Sequence, residues 1–228
     1  MKSFWLNKQN NSSLIVFFAG WSFDNFPFAA LNPTLHDVLF VYDYNDMGIP
    51  DDLQNLSQYE TKTLITWSMG VFAAYELREL FEDFNYKLVI NGTVTPVDDE
   101  FGIPEKVFGL TLKHAVKGLE GKFYQNVFLT DEEYGLYEAY PVRRSIENRV
   151  SELENLYDLI KNKKGQEYEK FYDFAIVSEF DKIIPSKNQI ASHKKNNVPF
   201  ITVPYGHFLF YYFSSWDEII QCRKTISI

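Results

Sequence analysis

The chain has 228 residues with 46% hydrophobic content, enough for one α/β domain with a full core and too apolar for a disordered segment. Its net charge of −9 argues against a dedicated nucleic-acid binder, which would show a dominant basic surface. The single cysteine, Cys222, excludes an intrachain disulfide and a Cys-based zinc site. The aromatic share of 18%, with 21 Phe and 15 Tyr, points either to an aromatic-lined cavity or to a Phe-rich core.

The N-terminal stretch "MKSFWLNKQNN" lacks an apolar run long enough for a signal peptide, and no segment approaches the roughly 20 apolar residues of a membrane span. A soluble protein of a reducing compartment is expected, with a cytoplasmic location. "KSFWLN" and "SLIVFFAG", joined by polar "KQNNSS", read as an opening β-hairpin. "DVLFVYDY", "KTLITWS", "YKLVING", "YDFAIVSEF" and "VPFITVPYG" follow as strands. Most are continuously apolar, as strands covered on both faces of a parallel sheet should be. Helical patterns over residues 71–81, 186–196 and 215–224 separate several of them, which implies a doubly wound α/β sheet.

The alternation breaks between about residues 93 and 170. This segment opens with "TVTPVDDEFGIP" and contains "RRSIENRVSELENLYDLI", where Ile146, Val150, Leu153, Tyr157 and Ile160 recur at helical spacing. It is expected to be a mostly helical insertion within a single domain spanning residues 1–228.

The chemistry concentrates at "LITWSMGVFAAYEL". A strand that ends in W-S-M-G and feeds straight into a helix has the layout of a nucleophile elbow, in which a tight turn lifts a serine hydroxyl clear of the sheet. An idle turn there would more simply carry Gly, Asn or Asp. Ser68 is therefore the candidate nucleophile. The usual G-x-S-x-G has Thr66 in place of its first Gly, and a β-branched residue at that position threatens a collision between strand and helix.

A serine needs a base, and four histidines are available. His36 lies in a polar loop, His114 in the insertion, and His193 in "IASHKKNN" on what should be a solvated helix face. His207 follows the strand "FITVPY" through a Gly, at the carboxyl edge that Ser68 shares. The orienting acid should come from the end of the preceding strand, where "SEFDKIIP" offers Glu179 and Asp181. Asp181 is preferred, 26 residues ahead of His207, because Pro185 then opens the next helix; Asp173 starts its strand, at the wrong edge. The chain order Ser68, Asp181, His207 is that of α/β-hydrolases. For the oxyanion, the backbone N–H of Met69 is one donor. The turn in "FFAGWSF" supplies the other, with Trp21 as its best candidate. Asp98-Asp99-Glu100 and Asp131-Glu132-Glu133 have no nearby His and read as solvated faces, so no metal site is expected, nor any cofactor. No Gly-rich phosphate loop is present.

These residues resemble the α/β-hydrolase superfamily. The pieces "FFAGW", "TWSMGV", "INGTVTPVDDEFGIP", "FDKIIP" and "YGHF" together resemble one branch of it, the BioG-type pimeloyl-[acyl-carrier protein] methyl ester esterases of biotin synthesis. The resemblance implies an α/β-hydrolase fold, a mostly parallel sheet with helices on both faces and a helical cap. It also implies hydrolysis of the methyl ester at the far end of a pimeloyl chain held on acyl carrier protein, with Ser68, Asp181 and His207 as the triad. Trp21 would line the substrate site.

Carrier proteins are acidic, so docking needs a local cationic patch. Residues 100–170 hold 11 Lys/Arg against 13 Asp/Glu, and the rest of the chain 11 against 18. Arg143, Arg144 and Arg149 form the candidate patch. A generic short-chain carboxylesterase or acyl thioesterase is the alternative enzyme. A non-catalytic hydrolase-fold binding protein is the alternative of another class, disfavoured because all three triad residues are present.

Overall fold

The computed structural model describes residues 1–222. Strands β1 (Lys2–Asn7), β2 (Ser13–Phe18), β3 (His36–Tyr42), β4 (Thr61–Trp67), β5 (Tyr86–Ile90), β6 (Phe174–Ser178) and β7 (Phe200–Val203) form one sheet in the order β1-β3-β2-β4-β5-β6-β7. Only β1 runs antiparallel; β2 to β7 are parallel to their neighbours. In β2, Leu14, Ile15, Val16, Phe17 and Phe18 are all fully buried. Successive side chains of a strand point to opposite faces, so both faces of the sheet are covered there. No helix among the described residues is long and apolar enough to cross a membrane.

The expected opening hairpin does not form: β3 lies between β1 and β2 and pairs with both. The polar connection wraps the carboxylate of Asp37, near the start of β3. Asp37 accepts from the main-chain N–H of Gln9, Asn10 and Asn11 and from the Tyr59 hydroxyl. Burial opposes its ionisation, but these donors outweigh burial and hold its carboxyl below the ordinary range. The "KQNN" stretch is thus a wide bend around a buried anion, roomy enough for a strand to enter between its two arms.

The aromatic excess goes mostly into the core. Phe17 packs against Phe28, Phe40, Phe210 and Trp216 with ring centroids 5.0–5.4 Å apart, at steep angles that favour the ring quadrupoles. Helix α1 (Met69–Glu76) follows β4, beginning two residues before the span expected from the sequence, and gives way to a 3-10 turn at Arg78–Phe81. Between β5 and β6 come α2 (Glu105–Lys113), α3 (Ala115–Leu119), α4 (Lys122–Val127), α5 (Asp131–Ala139) and α6 (Ile146–Asn162). Two further helices follow, α7 (Ser186–Lys195) and α8 (Trp216–Gln221). The sequence pattern for α8 runs to residue 224, whose last positions lie outside the described residues.

The Ser145 hydroxyl caps α6 by accepting from the Asn148 N–H. Leu153 and Ile160 are buried as its periodicity requires, but the same inner face carries Arg149 and Glu152. The acidic run before α2 is solvated, with Asp99 and Glu100 exposed, and it also forms a folded turn. Asp98 Oδ1 accepts from the N–H groups of Glu100 and Phe101, and the Asn188 amide on α7 donates to the carbonyls of Asp99 and Gly102.

His193 also departs from expectation. It is 4% exposed, its Nε2 has no hydrogen-bond partner, and burial lowers its pKa from 6.5 to about 4. The folded state therefore binds fewer protons than the unfolded chain as pH falls from the unfolded value towards the folded one. Stability should drop by about 3 kcal/mol across that window from this group alone, with no cost above it. Urea midpoints measured near pH 7.5 and near pH 5 should converge in His193→Gln relative to the parent chain. An unchanged gap would mean that His193 is solvated.

Candidate active site

Ser68 stands between β4 and α1 with φ 56° and ψ −125°, a backbone conformation that L-residues rarely adopt. The turn closes because three glycines admit backbone where a side chain would collide. A Cβ at Gly70 would lie 2.4 Å from the Phe18 carbonyl oxygen. At Gly92, just past β5, it would lie 2.6 Å from the Ser68 carbonyl oxygen, and at Gly20 it would lie 3.0 Å from Ser68 Cβ. Thr66 causes no collision. It is fully buried and its hydroxyl donates to the Leu88 carbonyl of the adjacent strand. The close approach usually met by the first elbow Gly is met by Gly92, from a different strand.

The structure brings Ser68, His207 and Asp181 together. Ser68 Oγ is 2.9 Å from His207 Nε2, and His207 Nδ1 is 2.8 Å from Asp181 Oδ2. A carboxylate only accepts, so Nδ1 carries the imidazole proton and the Nε2 lone pair faces the serine hydroxyl. Asp181 Oδ1 accepts from the N–H groups of Ile183 and Ile184, and Oδ2 also accepts from the Gln189 amide. The His207 backbone is fixed by donors from the Trp67 indole and the Asn91 amide to its carbonyl. All three side chains sit in a largely dry setting, with residue exposures of 5% (Ser68), 2% (His207) and 9% (Asp181).

The other candidates fall elsewhere. Glu179 is exposed beyond the end of β6, and Asp173 accepts from the Lys87 N–H at the opposite edge. His36 is also at that opposite edge, bonded through Nδ1 to Ser13 and through Nε2 to Asp217. His114 is exposed but lines the cavity above Ser68.

That cavity measures about 230 Å³. Ser68, His207 and Trp67 line it together with Trp21, Phe108 and Phe123. Its exposed lining includes His114, Lys122 and Lys182. A larger groove of about 640 Å³, beside Phe101, Tyr157 and Lys195, contains none of the three hydrogen-bonded residues and has no part in their chemistry. The peptide N–H of Met69 is the first of α1 and has no acceptor within the helix. A side chain at Gly20 would meet Ser68, so the chain that leads into Trp21 runs close to the serine. The Trp21 ring lines the cavity, packs on Phe123, and donates its indole N–H to the Arg149 carbonyl.

The arginine patch expected from the sequence is not a surface patch. Arg149 is buried, its guanidinium on the Tyr124 hydroxyl. The Arg144 side chain is 7% exposed and pairs with Asp43 and Glu152. Arg143 is exposed, but its guanidinium lies over the Phe26 ring, 3.4 Å from the centroid. Buried carboxylates pull Arg144 inward, and the Tyr124 hydroxyl and the Ser145 carbonyl hold Arg149; charge counting along the sequence does not reveal such partners.

A parallel sheet bearing a serine at a strand–helix elbow, bonded to a histidine and an aspartate on later loops, defines an α/β-hydrolase, and the chain is a carboxylic ester hydrolase. Over residues 1–219 it matches the family described as "Pimeloyl-ACP methyl esterase BioG", and it belongs to that family. The crystal structure of BioG from Haemophilus influenzae is 28% identical, superposes with a TM-score of 0.84, and covers 95% of this chain and 98% of that one. A Bacteroides fragilis protein described as malonyl-[acyl-carrier protein] O-methyltransferase is 31% identical over 191 residues, covering 79% of this chain. This chain spans only 36% of that relative's length. A lipase-esterase related protein from Clostridium acetobutylicum shares the fold, with a TM-score of 0.64 at 14% identity over 98% of both chains.

Proposed function

We propose that this chain hydrolyses the methyl ester of pimeloyl-[acyl-carrier protein] methyl ester, releasing methanol and leaving a free carboxylate at the far end of the acyl chain. The observation that carries the reading is the continuous hydrogen-bond chain Ser68–His207–Asp181 beneath an apolar cavity, in a member of this family.

In this mechanism Ser68 Oγ attacks the ester carbonyl while His207 Nε2 takes the hydroxyl proton. The carbonyl π electrons move to oxygen, and the resulting oxyanion is stabilised by the N–H groups of Met69 and Trp21, each worth about 3 kcal/mol of barrier. Collapse expels the methoxy group, which takes the proton from His207 and leaves as methanol. Water, deprotonated by the same nitrogen, then attacks the acyl-enzyme and the Ser68 oxygen is reprotonated. Asp181 keeps the imidazole in the required tautomer and stabilises the imidazolium.

The substrate has two electrophilic acyl ends, so position must choose between them. The apolar cavity suits an uncharged methyl-capped chain entering end first, with the thioester held at the mouth. The segment that lines one side of the cavity, with Val107, Phe108, Thr111 and Lys122, also carries lysines. From Glu105 to Lys122 the chain carries Lys106, Lys113, Lys117 and Lys122 against two glutamates, and Glu105 is already paired with Lys164. All four lysines are exposed, as are the apolar side chains of Val107, Leu110 and Val116 among them. Charge complementarity with an acidic carrier favours α2 and α3 as its landing surface. The Bacteroides relative, by its description, also acts on a carrier-bound acid.

The test compares two substrates. Combined Lys106→Glu, Lys113→Glu and Lys117→Glu should slow turnover of the carrier-bound methyl ester by about tenfold or more at low salt, and raised ionic strength should reproduce the loss in the parent enzyme. Hydrolysis of a small aryl ester should stay unchanged. Equal turnover of both substrates by the parent enzyme, with no penalty in the variant, would favour a generic esterase.

A further inference from the structure

Glu152, in the middle of α6, is fully buried and distant from the elbow in sequence. Its Oε2 accepts from the Ser22 N–H at 3.0 Å and pairs with Arg144 Nη1 at 2.9 Å, while Oε1 accepts from the Tyr44 N–H at 2.8 Å. Burial raises its pKa, against the opposing pull of Arg144 and these two amides. Ser22 immediately follows Trp21 and has φ 73°, a left-handed value that is strained for a non-Gly residue and persists only where its surroundings hold it. The neighbouring residues of this turn are held by the same segment. The Trp21 indole donates to the Arg149 carbonyl, the Phe23 carbonyl accepts from Arg144, and Asp24 accepts from the Arg143 N–H. Tyr44, whose N–H Glu152 holds, donates its own hydroxyl to the Ala19 carbonyl on the other side of the turn.

From this geometry we infer that Glu152 is a positioning residue: it pins the Ser22 N–H and so fixes the strained turn that aims the Trp21 N–H at the oxyanion. Arg144 is its counter-ion. The inference rests on the acyl-transfer reading of the Ser68 site. An ion pair buried at this depth is a poor way to add stability, because the desolvation cost offsets most of the attraction. It is a good way to hold one geometry, since a displaced carboxylate would leave the buried Ser22 and Tyr44 N–H groups unpaired. Because Glu152 belongs to the helical insertion, the roof of the cavity and the second oxyanion donor are built as one unit.

The consequence is specific to the transition state. The oxyanion exists only there, so loosening its donor should lower kcat and leave substrate binding alone. Glu152→Gln keeps the shape but puts an amide NH2 against a donor at one end. Its kcat on a small aryl ester should fall by about 10- to 100-fold with KM within about twofold, and a boronic acid that mimics the tetrahedral state should lose affinity by a similar factor. Arg144→Lys, which keeps the carboxylate and a positive charge but not the planar fork, should show the same pattern more weakly. It carries the test if Glu152→Gln does not fold by circular dichroism. Folded variants with parental kcat, or with equal losses in KM and boronate affinity, overturn the inference. Failure of the parent enzyme to hydrolyse any ester would instead sink the reading beneath it.

Discussion

Ser68→Ala is expected to lower ester hydrolysis by about 10⁴-fold or more, with thermal stability within a few degrees of the parent protein. The hydroxyl hydrogen-bonds to His207, and in the proposed mechanism it supplies the attacking oxygen. Alanine fits the same small site, and the Ser68 N–H still donates to the Ile90 carbonyl to hold the turn. Residual turnover would come from the cavity and the oxyanion donors acting on water. Steady-state kinetics on an activated aryl ester and a fluorophosphonate labelling experiment read the same claim independently. A variant that keeps a few per cent of activity, or still takes up the label, would remove Ser68 as the nucleophile.

His207→Ala should be as damaging as the loss of Ser68, because base and nucleophile act as a unit and their losses do not add. Asp181→Asn should cost about 10³- to 10⁴-fold in kcat. Its reason can be read from the donors: Asp181 accepts from two main-chain N–H groups on one oxygen and from Gln189 and His207 on the other. An asparagine must point its NH2 at one of these pairs. In either orientation it leaves a donor facing a donor, and facing His207 it favours the wrong imidazole tautomer. Destabilisation of about 1–3 kcal/mol should accompany the lost activity, which a thermal melt would register. Glu179→Gln, at an exposed position two residues earlier, should change neither. The opposite ranking of Asp181→Asn and Glu179→Gln would move the acid to Glu179.

The parallel sheet was readable because strands covered on both faces are continuously apolar, as in Leu14 to Phe18. Chain order and strand ends then bring Ser68, Asp181 and His207 to one edge without any knowledge of packing. What escaped the sequence depends on partners far along the chain. The insertion of β3 between β1 and β2 is accompanied by Asp37 gathering the amides of residues 9–11, a contact between distant residues that no local pattern encodes. Arg144, Arg149 and Glu152 look like ordinary helical charges in sequence; only the tertiary structure pairs Arg144 with Glu152, sets Glu152 on the Ser22 N–H beside Trp21, and turns the Arg149 guanidinium onto Tyr124. His193 follows the same logic in reverse, a polar residue amid lysines that the fold buries. Thr66 looked obstructive because the elbow signature assigns a small residue to its position, whereas here Gly92 takes up the approach.

The central claim is most directly tested by incubating the protein with pimeloyl-[acyl-carrier protein] methyl ester and following the intact carrier by mass spectrometry. Methyl-ester hydrolysis predicts a carrier lighter by one CH2 unit, with methanol released in equal amount and the thioester intact. In ¹⁸O-labelled water one heavy oxygen should appear in the new carboxylate, and Ser68→Ala should leave the substrate unchanged. Appearance of the unacylated carrier would show that the thioester is the bond cleaved. An unchanged carrier mass, under conditions where a small ester is hydrolysed, would likewise contradict the account.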